Sequence, residues 1–178
     1  HEQALVIRER LARSDPRNAA WQQNLSISYH QLGELAQAEN DLKAARAAHE
    51  KALALRERLA RSDPKNSGWQ QDLATSHERL GAVAEAEGNL QAAHAAYATE
   101  RELGRKMVEA LPDAPAVCAI LGHACLKEAE VLAKIAPGTP KASLRAIMEE
   151  GRAPVLKLKQ AGRLPPLEAS SSPVWRLR

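Results

Sequence analysis

Arg8-Glu9-Arg10-Leu11-Ala12-Arg13-Ser14-Asp15-Pro16 recurs unchanged as Arg56-Glu57-Arg58-Leu59-Ala60-Arg61-Ser62-Asp63-Pro64, 48 residues further on. With the same offset Trp21-Gln22-Gln23-Asn24-Leu25 returns as Trp69-Gln70-Gln71-Asp72-Leu73, Leu32-Gly33 as Leu80-Gly81, and Ala45 as Ala93. His1-Glu2-Gln3-Ala4-Leu5 joins the series, matching His49-Glu50-Lys51-Ala52-Leu53. A fixed period of this size marks stacked supersecondary units, each of which buries its apolar face only against a neighbour. On this register residue 1 falls within the second helix of a repeat, so the chain reads as a fragment of a longer array.

Each unit reads as two helices. Trp21, Leu25, Tyr29, Leu32 and Ala36 follow one another at three- to four-residue steps and form one apolar stripe. A second stripe runs through Leu42, Ala45, His49, Ala52, Leu53 and Leu59, and stops at Ser62-Asp63-Pro64. Proline has no amide for the helix and clashes with the preceding turn, and Asn66 is placed to cap the helix that follows. The whole chain has 178 residues, 44% hydrophobic and 26% charged, with a net charge of +3 and no phenylalanine. So few aromatics disfavour sandwiches and barrels and favour closely packed, alanine-rich helices. A mean hydropathy of -0.43 and the lack of a long apolar run argue against a membrane span. The amphipathic opening residues do not read as a signal peptide.

Leu32-Gly33, Asn40-Asp41, Ala45 and Ala52-Leu53, with Leu80-Gly81, Gly88-Asn89, Ala93 and Tyr97, resemble the tetratricopeptide repeat. The resemblance covers residues 1 to about 111. It departs from the common pattern in its period of 48 rather than about 34 residues, and is similar to the long-helix variants of kinesin light chains and bacterial scaffold arrays. It implies an all-α, right-handed superhelical solenoid of antiparallel helix pairs with an atypical C-terminal cap. The expected organisation is the second helix of a repeat over 1–15, full repeats over 16–63 and 64–111, a degenerate repeat with capping helices over 112–162, and an extended basic tail over 163–178. In the degenerate part Asp63-Pro64 becomes Leu111-Pro112 and Trp69 becomes Val117. A helix is expected through Val117, Leu121, Ala124 and Val131, then two short helices over about 141–150 and 154–161, separated by Gly151 and Pro154.

Candidate chemistry is sparse. Cys118 and Cys125 are seven apart on one predicted helix, so their Cα atoms lie about 10.5 Å apart, beyond the roughly 6.8 Å that a disulfide tolerates. Cys118-x4-His123-x-Cys125 is read as small core residues rather than a metal site. His1 and His49 share a repeat position with Tyr97, and His77 shares one with Tyr29, which marks them as packing residues with a polar tip. His30 and His94 are expected to face solvent or a groove. Arg8, Arg10 and Arg13, with their copies Arg56, Arg58 and Arg61, alternate with Glu9, Asp15, Glu57 and Asp63, and are read as solvated helix ends rather than a nucleic-acid stripe. Glu100-Arg101 stands where Ala52-Leu53 does, either as a polar notch for a ligand or as a local shift at the edge of the cap. No phosphate loop, dinucleotide fingerprint or paired zinc-histidine motif occurs. The expectation is a non-enzyme with no catalytic residues, no metal site and no cofactor.

In tetratricopeptide arrays the first helix of each pair lines a concave groove that binds a peptide. By the resemblance the lining is Ile27, His30, Glu34 and Gln37, then Thr75, Glu78, Ala82 and Glu85, then His123, Leu126 and Glu130. The family's clamp for a terminal carboxylate uses lysine and asparagine, and here His30/Glu78 and Glu34/Ala82 stand there instead. No carboxylate-clamp ligand is therefore expected, and the acid-leaning lining implies a basic or neutral protein or peptide partner. The function expected is a cytoplasmic protein–protein interaction scaffold, a regulatory or assembly module of a larger protein. One alternative is self-association, in which the tail residues Trp175, Arg176 and Arg178 occupy the same or a neighbouring groove, or copies meet through the open N-terminal half-repeat. A further alternative is nucleic-acid binding through the basic end, against which the near-neutral repeat region argues; from residue 152 on, six Lys/Arg face Glu168 alone.

Overall fold

Helix boundaries in the structure follow from two turn chemistries that alternate along the chain. The structure, a computed structural model, describes residues 2–163. Among the described residues there are seven helices and no strand: α1 (Glu2–Ser14), α2 (Ala19–Ala38), α3 (Leu42–Ser62), α4 (Ser67–Ala86), α5 (Leu90–Ala110), α6 (Pro115–Ile135) and α7 (Lys141–Gln160). Within α1–α4 and within α5–α7, turns this short bring successive helices back antiparallel to pack side by side. Trp175, Arg176, Arg178 and the rest of the expected tail beyond Arg163 lie outside the described residues.

In the first turn type Asp15 accepts from the Arg17 amide at 3.0 Å and Asn18 accepts from the Trp21 amide at 3.1 Å. Asp63 and Asn66 repeat both bonds with Lys65 and Trp69, each at 3.1 Å. Orphan amides of the new helix are thereby satisfied before it starts. The second type needs one residue in the left-handed region: Asn40 takes φ +60° and its repeat mate Gly88 φ +75°. Asp41 and Asn89 then cap α3 and α5 through the amides of Ala44 and Ala92. The third copy has lost both devices. Ala114 makes no side-chain cap, and α6 begins instead on Pro115.

The chain divides into two units, His1–Glu87 and Gly88–Arg178, at the turn between α4 and α5. In the first, Leu25, Tyr29, Ala52 and Leu55 form the core together with Ala12, and Trp21 and Leu5 pack on its edge. Leu32, expected on the buried stripe, is 43% exposed; Gly33 takes the buried place beside it. In the second, Cys118, Val155 and Leu158 form a core with Val108 against it. No helix of the described residues is long and apolar enough to cross a membrane.

Two short helices over 141–150 and 154–161 are not what forms. α7 runs unbroken with Pro154 inside it. Gly151, Val155 and Leu158 share one face at four- and three-residue steps and are all buried. Gly151 sits so close to α6 that an added Cβ would meet Cys125 Cβ at 2.7 Å and Gly122 Cα at 3.0 Å. Burying Val155 and Leu158 stabilises by about 1.5–3 kcal/mol each, which offsets the roughly 3 kcal/mol cost of an interior proline. Tertiary packing therefore carries the helix across a residue that breaks it locally.

Pro154→Ala restores the missing amide and is expected to raise stability by about 1–3 kcal/mol. Gly151→Ala is expected to lower it by about 1–3 kcal/mol, because Cys125 and the α6 backbone occupy the space of the new methyl. Urea titrations followed by circular dichroism check both, and equal midpoints for wild type and Pro154→Ala would contradict this account of α7.

Candidate functional site

In the first unit, α2 brings Ile27, His30, Glu34 and Gln37 to one side at steps of three and four residues, and α4 does the same with Thr75, Glu78, Ala82 and Glu85. The two helices are tied across this face by Arg79, whose guanidinium lies 3.2 Å from the Glu34 carboxylate. His30 meets the same carboxylate at 3.5 Å. Ile27 and Glu34 are exposed, while His30, Gln37, Thr75, Glu78, Ala82 and Glu85 are half-buried.

Beneath the face lies a buried polar layer. Gln37 bonds the His49 ring at 3.0 Å, and the His30 and His49 rings stand 5.6 Å apart. Gly33 leaves His49 its space, since a Cβ there would come within 2.5 Å of the imidazole. Deeper still, Arg56, only 4% exposed, donates to the Asp72 carbonyl and to Ser76 Oγ, both at 3.0 Å. Burial pushes the His49 pKa down to about 4, and burial followed by the Arg56 guanidinium lowers that of His30. Both imidazoles are therefore neutral at pH 7. Among the described residues the face carries the carboxylates of Glu34, Glu78 and Glu85 with the Arg79 guanidinium between α2 and α4.

Two residues that organise this site were misread or overlooked. Arg56 is not a solvated helix-end residue: its guanidinium is an internal strut between α3 and α4. Arg8 likewise bonds Ser28 in α2. The reason is the chain's own pairing, since Arg8–Ser28 and Arg56–Ser76 share one separation and one period. That doubled pair was the available signal. Arg79 left no such trace, because its repeat mate is Gln31. His30 faces the groove side but is half-buried, and its ring is taken up by Glu34 and His49. His77 is also shifted downward by burial, and its mate Tyr29 donates its hydroxyl to Glu9 while burial raises its pKa to about 12.

In the second unit the expected lining residues are dispersed. His123 bonds Glu100 at 3.1 Å and stacks edge-on against Tyr97, with ring centres 6.4 Å apart. Glu130 is paired with Lys127 at 3.1 Å. Leu126 faces an open cavity of about 390 Å³ between α6 and α7. Glu100 is built into the interior and Arg101 is half-buried next to it. Glu100 is 1% exposed, and Arg101 joins Glu128 at 2.7 Å and Glu150 at 2.8 Å, with His94 lying 3.8 Å from Glu128. Burial works against the Arg101 charge, but Glu128 and Glu150 prevail and raise its pKa. Cys118 and Cys125 are buried free thiols. Burial, then the Glu150 carboxylate, push Cys125 up to about 12, and Cys118 points at the Pro112 carbonyl, 3.6 Å away. The thiols and His123 are thus engaged separately.

No family model, no curated protein and no solved structure matches the chain.

The depressed pKa of His49 fixes a sign. The unfolded chain takes up a proton near the ordinary imidazole value of 6.5, while the folded chain resists until about 4. Stability is therefore full above the unfolded value and is lost as pH falls through that window, by an amount on the order of 3 kcal/mol at the acid end. His49→Tyr, which installs the residue found at the same repeat position in Tyr97, is expected to flatten the slope between pH 6.5 and 4. Denaturant midpoints measured across that range test this; parallel curves for the two proteins would remove His49 as the cause.

Proposed function

We propose that the chain is a non-enzymatic protein–protein interaction scaffold of the tetratricopeptide kind, and that the α2–α4 face of the first unit binds an extended basic or neutral peptide. On this reading the helix pairs are repeats of a right-handed solenoid. They form a regulatory or assembly module of a larger protein in the cytoplasm, where thiols such as Cys118 and Cys125 stay reduced. The observation that carries the proposal is the ordered acid-leaning face itself. Glu34, pinned by Arg79 and His30 yet exposed, shares one side of α2 with exposed Ile27 and one face with Glu78. A surface whose side chains are already held loses little entropy when a ligand arrives, and its charge selects the ligand's sign.

Other features support a binding role over a chemical one. The most buried titratable groups serve packing: His49 against Gly33, Glu100 on His123, Arg56 on Ser76. Burial holds the thiolate form of Cys125 far from neutral pH, which removes it as a nucleophile.

A test is fluorescence polarisation with short labelled peptides of net positive, zero and negative charge. Positive peptides are expected to bind best, and Glu34→Lys/Glu78→Lys to weaken them at least about tenfold. Preference for acidic peptides, or equal binding by wild type and the double variant, would place the ligand elsewhere.

A further inference from the structure

The first unit shows how one helix pair of this chain receives the next. Val83 on α4 is completely buried in a socket made by Ala36, Leu42 and Ala45. One turn further on, Glu87 forms an ion pair with Arg46, next to Ala45 in the socket. The fit thus has two parts: a knob of Val83 and Glu87, four apart, and a socket of Leu42, Ala45 and Arg46.

The repeat places the same two parts elsewhere, without partners among the described residues. One period before Val83 and Glu87 stand Leu35 and Glu39. Leu35 is 51% exposed and Glu39 is exposed too, whereas Val131, one period after Val83, is again completely buried. At the other end α7 takes the register of α5. The buried series Ala93, Tyr97, Glu100, Gly104 and Met107 has its spacing repeated in Leu144, Met148, Gly151, Val155 and Leu158, offset by 51. Through that register Lys141, Leu144 and Arg145 occupy the places of Leu42, Ala45 and Arg46. The 390 Å³ cavity lies at this spot: Gly122, Leu126, Leu144 and Met148 line it, with Lys141 and Arg145 among its lining. Met148 is 43% exposed, where Tyr97 at the same register is 1% exposed.

We propose that the chain self-associates head to tail, Leu35 of one copy entering the α6–α7 cavity of a second copy and Glu39 pairing with its Arg145. Three observations converge on a second copy as the occupant. The spacing of Leu35 and Glu39 reproduces that of the internal knob. Leu144 and Arg145 reproduce the internal socket, and the open cavity beside them, about 390 Å³, has room for a side chain larger than Val83. The charges are complementary, an acid on the knob and a basic rim of Lys141 and Arg145 on the socket. The two surfaces differ, so the contact is heterologous and each copy keeps one free knob and one free socket unless a ring closes. Peptide binding by the α2–α4 face is a separate matter, and either activity can fail without the other.

Light scattering across a wide range of concentration tests this. The wild-type mass is expected to rise with concentration, and Leu35→Asp or Met148→Asp to weaken association at least about tenfold by placing a carboxylate in an apolar contact. Both positions are exposed, and circular dichroism checks that each variant stays folded. Mixed in equal amounts, the two variants are expected to form a dimer and nothing larger, because Leu35→Asp keeps its socket and Met148→Asp keeps its knob. Glu39→Arg or Arg145→Glu alone is expected to weaken association, and the two together in one chain to restore it. A wild type that stays monomeric at every concentration, as when only further repeats or a different partner cover these faces, overturns the proposal. So does a mixture of the two blocked variants that remains monomeric.

Discussion

At Gly33 there is no room for a methyl group, because the ring of His49 stands where a Cβ would go, and this closeness of paired helices governs the rest of the structure. Helices pack at about 8–10 Å depending on the side chains between them, so a deep contact between two of them needs a small residue on one side. The chain meets the requirement in a different way at each pair. Between α2 and α3 it is Gly33 under His49; between α5 and α6 it is Gly104 against the Leu121 backbone; between α6 and α7 it is Gly151 against Cys125 and Gly122. The first solution has chemical consequences. Holding His49 against Gly33 buries the imidazole, keeps it neutral, and turns its free edge to Gln37 and His30, which sets the floor under Glu34 and Arg79.

The same geometry explains how the third copy of the repeat departs from the first two. Where Arg56 and Ser76 make a buried polar strut, the positions one period later are Gly104 and Ala124. Both partners change together. A guanidinium left without Ser76 would be a buried charge short of a partner, and a serine left without the guanidinium an unmet hydroxyl. Losing both lets the helices close to contact distance at Gly104. In the second unit the buried Glu128 carboxylate is held instead by the half-buried Arg101, which also pairs with Glu150.

Much of the fold was legible because it is periodic. The turn residues Asp15, Asn18, Asp41, Asp63 and Asn66 act within a few positions of themselves, so the helix ends follow from local chemistry. The misreadings fell where long-range contacts overrode local rules. Pro154 breaks a helix on its own terms, yet Val155 and Leu158 bury enough surface to carry α7 through it. Arg56 carries a charge that belongs in water, yet Ser76 and the Asp72 carbonyl receive it inside. Leu32 fits the apolar stripe but faces outward because Gly33 takes its place at the contact. At the site, the resemblance named Ile27, Glu34 and Glu78; the structure leaves Ile27 and Glu34 exposed on α2 and Glu78 half-buried on α4. It did not name Arg79, since nothing in the sequence says which residue of α4 reaches Glu34.

The period, the pairing of helices and the turns that join them follow from residues close along the chain and written twice. Tertiary structure alone decided which charges went inside, which apolar residues stayed outside, and which carboxylates were left to shape the face. Those outcomes rest on distances between residues twenty or more positions apart, such as Arg56 to Ser76 and Glu34 to Arg79. Burial then sets protonation states that no local pattern encodes.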